Sequence, residues 1–127
     1  MTNGEQQKKG PEMQFGQMPQ LTVEQVPADG FLLDVRESDE WAAGHAESAL
    51  HIPMSDFVRR AGELSEHVGE GQRVHVVCKA GGRSAKVTQY LRQQGWDAVN
   101  VDGGMLAWEQ AGRPLVADAG DGPAQVV

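Results

Sequence analysis

Arg73-Val74-His75-Val76-Val77-Cys78-Lys79-Ala80-Gly81-Gly82-Arg83-Ser84 runs an apolar segment straight into a glycine-rich loop, with the chain's single cysteine at the junction. Val74, Val76 and Val77 suit a strand, whereas from Ser84 onward Val87, Tyr90 and Leu91 fall on one face of a helix. The loop therefore joins the carboxyl end of a strand to the amino end of a helix. Backbone N–H groups converge at such a junction. Together with the positive helix end and the cations Lys79 and Arg83, they favour thiolate over thiol at Cys78. The pattern points to a cysteine nucleophile beside a mouth that welcomes small anions.

Strand and helix alternate outward from this stretch. On its amino side, Thr22 with Gln25 three residues later forms a capping-box pattern for a short helix after a one- or two-residue strand. Phe31-Leu32-Leu33-Asp34-Val35 is a continuous apolar run ending near a carboxylate, as expected for a strand covered on both faces. Ser38 is a candidate cap for a short helix holding Trp41 and stopped by Gly44, and Ala49-Leu50-His51-Ile52-Pro53 reads as a further strand. Ser55 is a candidate cap for a helix carrying Phe57, Val58, Ala61 and Leu64, and Gly69-Glu70-Gly71 marks the turn before the Val74 strand. On the carboxyl side, Gly95 ends the Ser84 helix and Ala98-Val99-Asn100-Val101 forms another strand. Gly103-Gly104-Met105-Leu106-Ala107-Trp108 begins a last short helix that stops near Gly112. This alternation predicts an α/β domain with a central, mainly parallel sheet and helices on both faces. Its site lies at the carboxyl ends of the strands, where Cys78 and Asp34 fall.

Residues 1–18 lack periodicity and residues from about 117 are small, acidic or glycine-rich. The sequence is therefore divided into a flexible N-terminal tail over 1–18, one domain over 19–116 and a flexible C-terminal tail over 117–127. The 127 residues suit one domain with a real core, and 39% hydrophobic with 23% charged residues is the composition of a soluble globular protein. No apolar stretch is long enough for a membrane span, and the first residues do not resemble a secretion signal, so a cytoplasmic location is expected. A lone cysteine fits a reducing compartment. The net charge of −7 argues against nucleic acid as a partner, although Lys79, Arg83 and Lys86 cluster beside Cys78.

Three motifs, in this order and separation, give the chain a resemblance to the single-domain rhodaneses, a family of sulfurtransferases. They are Asp34-Val35-Arg36-Glu37 followed by Glu40-Trp41 and Gly44-His45; the active loop Cys78-Lys79-Ala80-Gly81-Gly82-Arg83-Ser84; and Gly103-Gly104-Met105-Leu106-Ala107-Trp108. The match spreads over roughly residues 20–116. It departs from the family pattern after His45, where Ala46-Glu47-Ser48-Ala49 replaces the usual Ile-Pro-Gly-Ala. The resemblance implies a rhodanese-like five-stranded sheet and thiosulfate sulfurtransferase activity. Cys78 would take the outer sulfur of a small anionic donor as a persulfide and pass it to cyanide, a thiol or a protein cysteine. Lys79, Ala80, Gly81, Gly82 and Arg83 would form the substrate-binding loop, with Arg83 either fixing the loop or binding donor oxygens. Lys79 would either reach over the mouth or point to solvent. Asp34, Arg36 and Ser84 would support the loop, the first two by pairing with its groups.

Two other readings use the same residues. Phosphatases and arsenate reductases of similar architecture also close a cysteine loop with arginine. Here only four residues separate Cys78 from Arg83, a smaller cradle than theirs, and Val77 stands where they commonly have histidine. A protein-to-protein sulfur carrier or a non-catalytic binding module is the other. The chain has no second cysteine to resolve a persulfide, so transfer would end on an external acceptor. His45, His51, His67 and His75 give no metal-ligand spacing, and no cofactor or metal is expected. Trp41 and Trp108 read as packing residues, with a place for Trp108 near the mouth as the alternative.

Overall fold

A computed structural model describes residues 19–118 and 122–127. The expected N-terminal tail over 1–18 lies outside the described residues. Strands β1 (Gln20–Leu21), β2 (Phe31–Asp34), β3 (Leu50–His51), β4 (Val74–Val77) and β5 (Ala98–Val101) form one sheet in the order β1-β5-β4-β2-β3, and the pairs of neighbours are all parallel. Helices α1 (Ser38–Ala43), α2 (Phe57–Arg60), α3 (Leu64–His67), α4 (Gly82–Gln93) and α5 (Gly104–Gln110) connect or follow them. The central strands are buried on both faces. Alternate side chains of β4 divide between two cores: Val74, Val76 and then Cys78 pack with Leu33, Phe57, Leu64 and Leu91, whereas Val77 packs with Leu32, Val101, Met105 and Trp108. Trp108 therefore belongs to the second core, with its Nε1–H donated to Pro114 O at 3.0 Å.

Register brings the functional ends together. Asp34 pairs with Val77, so Val35 and Cys78 leave the sheet side by side. The Val35 N–H still donates to Val77 O at 3.0 Å, which carries the ladder one step past the strand.

Several local expectations change. The cap of α1 is Glu37 rather than Ser38, because Glu40, three residues on, returns its Oε1 to the Glu37 N–H at 2.9 Å. Ser55 does not cap α2; its hydroxyl donates to Glu37 Oε1 at 2.8 Å and ties that turn to α1. The helix expected through Phe57 and Leu64 is broken by 3-10 turns at Met54–Asp56 and Ala61–Glu63. A 3-10 turn advances fewer residues per revolution, so the apolar phase resets and Val58 is 78% exposed. The turn that departs from the family pattern closes with the Ala49 N–H on Ala46 O at 3.1 Å, and it buries Ala46.

The carboxyl end also differs from the expected free tail over 117–127. Val116 and His45 exchange backbone hydrogen bonds of 2.8 and 2.9 Å. The N–H groups of Asp118 and Gln125 donate to Ala42 O and Ala43 O, both at 3.0 Å, and Val126 packs against the second core. The hydrogen bonds among these contacts are made by backbone, which a composition of small and acidic residues does not advertise.

Candidate active site

Cys78 follows β4 immediately, 1% exposed, at the base of the loop. Helix α4 starts at Gly82, two residues earlier than the apolar spacing suggested. The reason is Gly81, whose φ of +120° lies where L side chains are strained and turns the chain so that its own N–H meets the sulfur. That N–H lies 3.1 Å from Sγ, and Ser84 Oγ lies 3.3 Å away. Burial pushes the Cys78 thiol up. The hydroxyl of Ser84 and the backbone N–H groups of Ser84, Gly81 and Ala80 together outweigh it and hold the thiol below its ordinary value. The sulfur thus sits in a ring of donors that favours the anion.

The loop is held from two sides. Beneath it, Cys78 O and Lys79 O accept the N–H groups of Met105 (2.8 Å) and Leu106 (3.0 Å) in the first turn of α5. Gly104 lies so close that any side chain there would run into those two carbonyl oxygens. This close approach is the physical reason for Gly104, whereas Gly103 has a φ of +81° and a side chain there would meet Ala107. At its far end, Arg83 Nη1 and Nη2 donate to Glu40 Oε1 and Oε2 at 2.7 and 2.9 Å. The Arg83 hydrogen bonds hold the Glu40 carboxyl down at about 2, and the carboxylate in turn raises Arg83. Arg83 therefore fixes the loop to α1.

Asp34 and Arg36 are both fully buried, but they do not pair with loop groups as expected. Arg36 gives its fork to Asp34 (Nε to Oδ1 3.0 Å, Nη2 to Oδ2 2.7 Å) and its remaining donors to Gly44 O at 2.8 Å and Glu40 O at 3.3 Å. Their influence on the loop passes through α1. Arg36 holds the middle and the carboxyl end of that helix, at Glu40 O and Gly44 O, and the Glu40 side chain clamps Arg83. Lys79 is half-exposed at the rim, with Ala80 and Gly82 exposed beside it. His75 is buried in its strand with Nδ1 at 2.9 Å from Phe31 O, consistent with a strand side chain rather than a base. No cluster of metal-ligating side chains occurs among the described residues.

Two site residues escaped the sequence reading. Glu40 stands out in the sequence only as part of a motif, although a carboxylate three residues after Glu37 signals a cap. Asn100 reads from the sequence as an ordinary strand position. A polar side chain inside the apolar run Ala98-Val99-Asn100-Val101 was the available signal, since a buried amide needs partners. It is 3% exposed, and its Oδ1 lies 2.6 Å from Ser84 Oγ.

The model of the rhodanese-like domain matches residues 19–111. The chain belongs to the rhodanese-like domain family. It is 40% identical over 93 residues to YtwF of Bacillus subtilis, covering 72% of this chain and 86% of that protein. It is 37% identical over 93 residues to a sulfurtransferase of Allochromatium vinosum, covering 72% and 83%. Its fold is similar to that of a rhodanese-like domain protein from Staphylococcus aureus, with TM-score 0.58, 33% identity, and coverage of 81% of this chain and 95% of that one. In this rhodanese-like chain, no helix among the described residues is long and apolar enough to cross a membrane.

Proposed function

We propose that this protein is a sulfurtransferase in which Cys78 carries the sulfur. The observation that carries the reading is the pair of donors, Gly81 N–H and Ser84 Oγ, converging on a buried Sγ at 3.1 and 3.3 Å. The sulfurtransferase name of the Allochromatium relative supports it. In the first half-reaction the Cys78 thiolate attacks the outer sulfur of a thiosulfate-like donor. An S–S bond forms at Cys78 while the donor's S–S bond breaks, and sulfite leaves with the bonding pair. In the second, cyanide, a thiol or a protein cysteine attacks the terminal persulfide sulfur, and the Cys78 thiolate departs with its electrons restored. No oxidant, metal or cofactor enters the balance.

The loop donors serve each step by stabilising negative charge near the sulfur without reorganisation. Arg83 is engaged by Glu40, so among the described residues of the loop Lys79 is the cation without an ion-pair partner, and the donor's oxyanion group is assigned to Lys79 and the exposed rim backbone of Ala80 and Gly82. The small loop and the absence of a second cysteine favour transfer of a single sulfur to an external acceptor over phosphoryl chemistry. A reducing cytoplasm is the setting proposed for such a thiol, with neither nucleic acid nor membrane as a partner. The test is thiocyanate formation from thiosulfate and cyanide, with 3-mercaptopyruvate as a parallel donor and Lys79→Ala and Cys78→Ser alongside. Turnover that rests on Cys78, with KM for thiosulfate raised by Lys79→Ala, supports the reading. Turnover retained by Cys78→Ser overturns it.

A further inference from the structure

Cys78 Sγ, Gly81, Asn100 and Ser84 form a closed hydrogen-bonded ring. Gly81 N–H points at Cys78 Sγ (3.1 Å), Asn100 Nδ2–H donates to Gly81 O (3.2 Å), and Ser84 Oγ lies 2.6 Å from Asn100 Oδ1 and 3.3 Å from Sγ. Asn100 Nδ2 also reaches Gln20 Oε1 at 3.4 Å, so two amide donors face two acceptors and Oδ1 is left facing Ser84. A serine hydroxyl has one hydrogen, and here two acceptors compete for it. With the sulfur as a neutral thiol, S–H donates to Ser84 Oγ and the serine hydrogen lies on Asn100 Oδ1. With the sulfur as a thiolate, the strongest acceptor in reach is the sulfur itself, and the hydrogen turns to it.

Resting on the reading that Cys78 is the sulfur-carrying nucleophile, we propose that Asn100 is a positioning residue that makes Ser84 a charge-responsive donor. It holds the serine hydrogen while Cys78 Sγ is neutral and yields it when Sγ is anionic. During transfer, the hydrogen follows the charge. It faces Sγ in the free thiolate and returns to Asn100 once the negative charge has moved to the terminal sulfur of the persulfide. Only a bond rotation is needed. The other charges around the sulfur leave this role to the neutral pair: Arg83 is matched by Glu40, Asp34 by Arg36, and Lys79 is at the rim.

The test needs no sulfur donor, so it separates this inference from the proposed activity. In the unmodified chain, the side-chain amide signals of 15N-labelled Asn100 are followed by NMR while thiolate absorbance near 240 nm reports Cys78, with Cys78→Ser as blank. The Asn100 signals are expected to move with the midpoint of the thiolate titration and to stop doing so in Ser84→Ala. Asn100→Ala and the near-isosteric Asn100→Leu remove the competing acceptor, so the thiolate fraction at a fixed pH below the midpoint is expected to rise about threefold or more. In the Ser84→Ala background the same changes are expected to have no effect. An Asn100 signal blind to the titration overturns the proposal. So does a fall in thiolate fraction of the same size with and without Ser84, which is what a purely structural brace on Gly81 would give.

Discussion

Replacing Glu40 with glutamine keeps the shape of the side chain and removes the charge that clamps Arg83. The carboxyl titrates at about 2 where a free one titrates at 4.5. Taken whole, that difference corresponds to about 3 kcal/mol at about 1.4 kcal/mol per pH unit. Arg83 is 34% exposed and Glu40 16%, so solvent screening reduces the figure to about 1–2 kcal/mol. For a domain of this size, Tm should fall by roughly 4–15 °C, and the urea midpoint should shift with little change in slope. The sign with pH follows from a depressed folded-state value: the stabilisation is complete above about 4.5 and disappears as pH falls through about 2. Wild type and Glu40→Gln should therefore differ most near neutrality and converge in acid. Equal stability at pH 7, or a gap that widens on acidification, would refute the clamp.

Arg36→Ala leaves the Asp34 carboxylate buried without its partner and should cost about 3–5 kcal/mol by urea denaturation at neutral pH. Gly104→Ala places a methyl group against Cys78 O and Lys79 O, so it should lower Tm and slow Cys78 alkylation together, whereas Gly62→Ala, which meets open space, should do neither. Ser84→Ala removes a donor that lowers the Cys78 thiol, so the alkylation-rate profile with pH should move to higher pH and the thiolate fraction at neutrality should fall. Leu91→Ala, fully buried in the first core, should cost about 2–5 kcal/mol without changing the pH dependence of alkylation.

The sheet was legible because its strands are short apolar runs whose ends carry distinctive residues. Asp34 and Cys78 emerge at the edge where ligands bind because the register pairs Asp34 with Val77. The loop was legible because its chemistry is local: sulfur, glycines and helix start lie within seven consecutive residues, Cys78 to Ser84. What the sequence hid is contact between distant residues. Arg83 and Glu40 are 43 positions apart, and nothing near Arg83 says that its fork is occupied. Asp34 and Arg36 lie at the end of β2 but with partners other than the expected loop groups, since a buried arginine seeks every acceptor in reach and those are the Asp34 carboxylate and the carbonyls of Glu40 and Gly44. Asn100 looked like a strand residue because burial of its amide by Ser84 and Gly81 depends on β5 lying beside β4.

The most direct test of sulfur transfer through Cys78 is the intact mass of the non-reduced protein before thiosulfate, after thiosulfate, and after subsequent cyanide. A gain of one sulfur atom that cyanide removes, and that Cys78→Ser does not acquire, is the expected result. A gain that persists in Cys78→Ser, or a sulfur that cyanide leaves in place, would contradict a persulfide at Cys78.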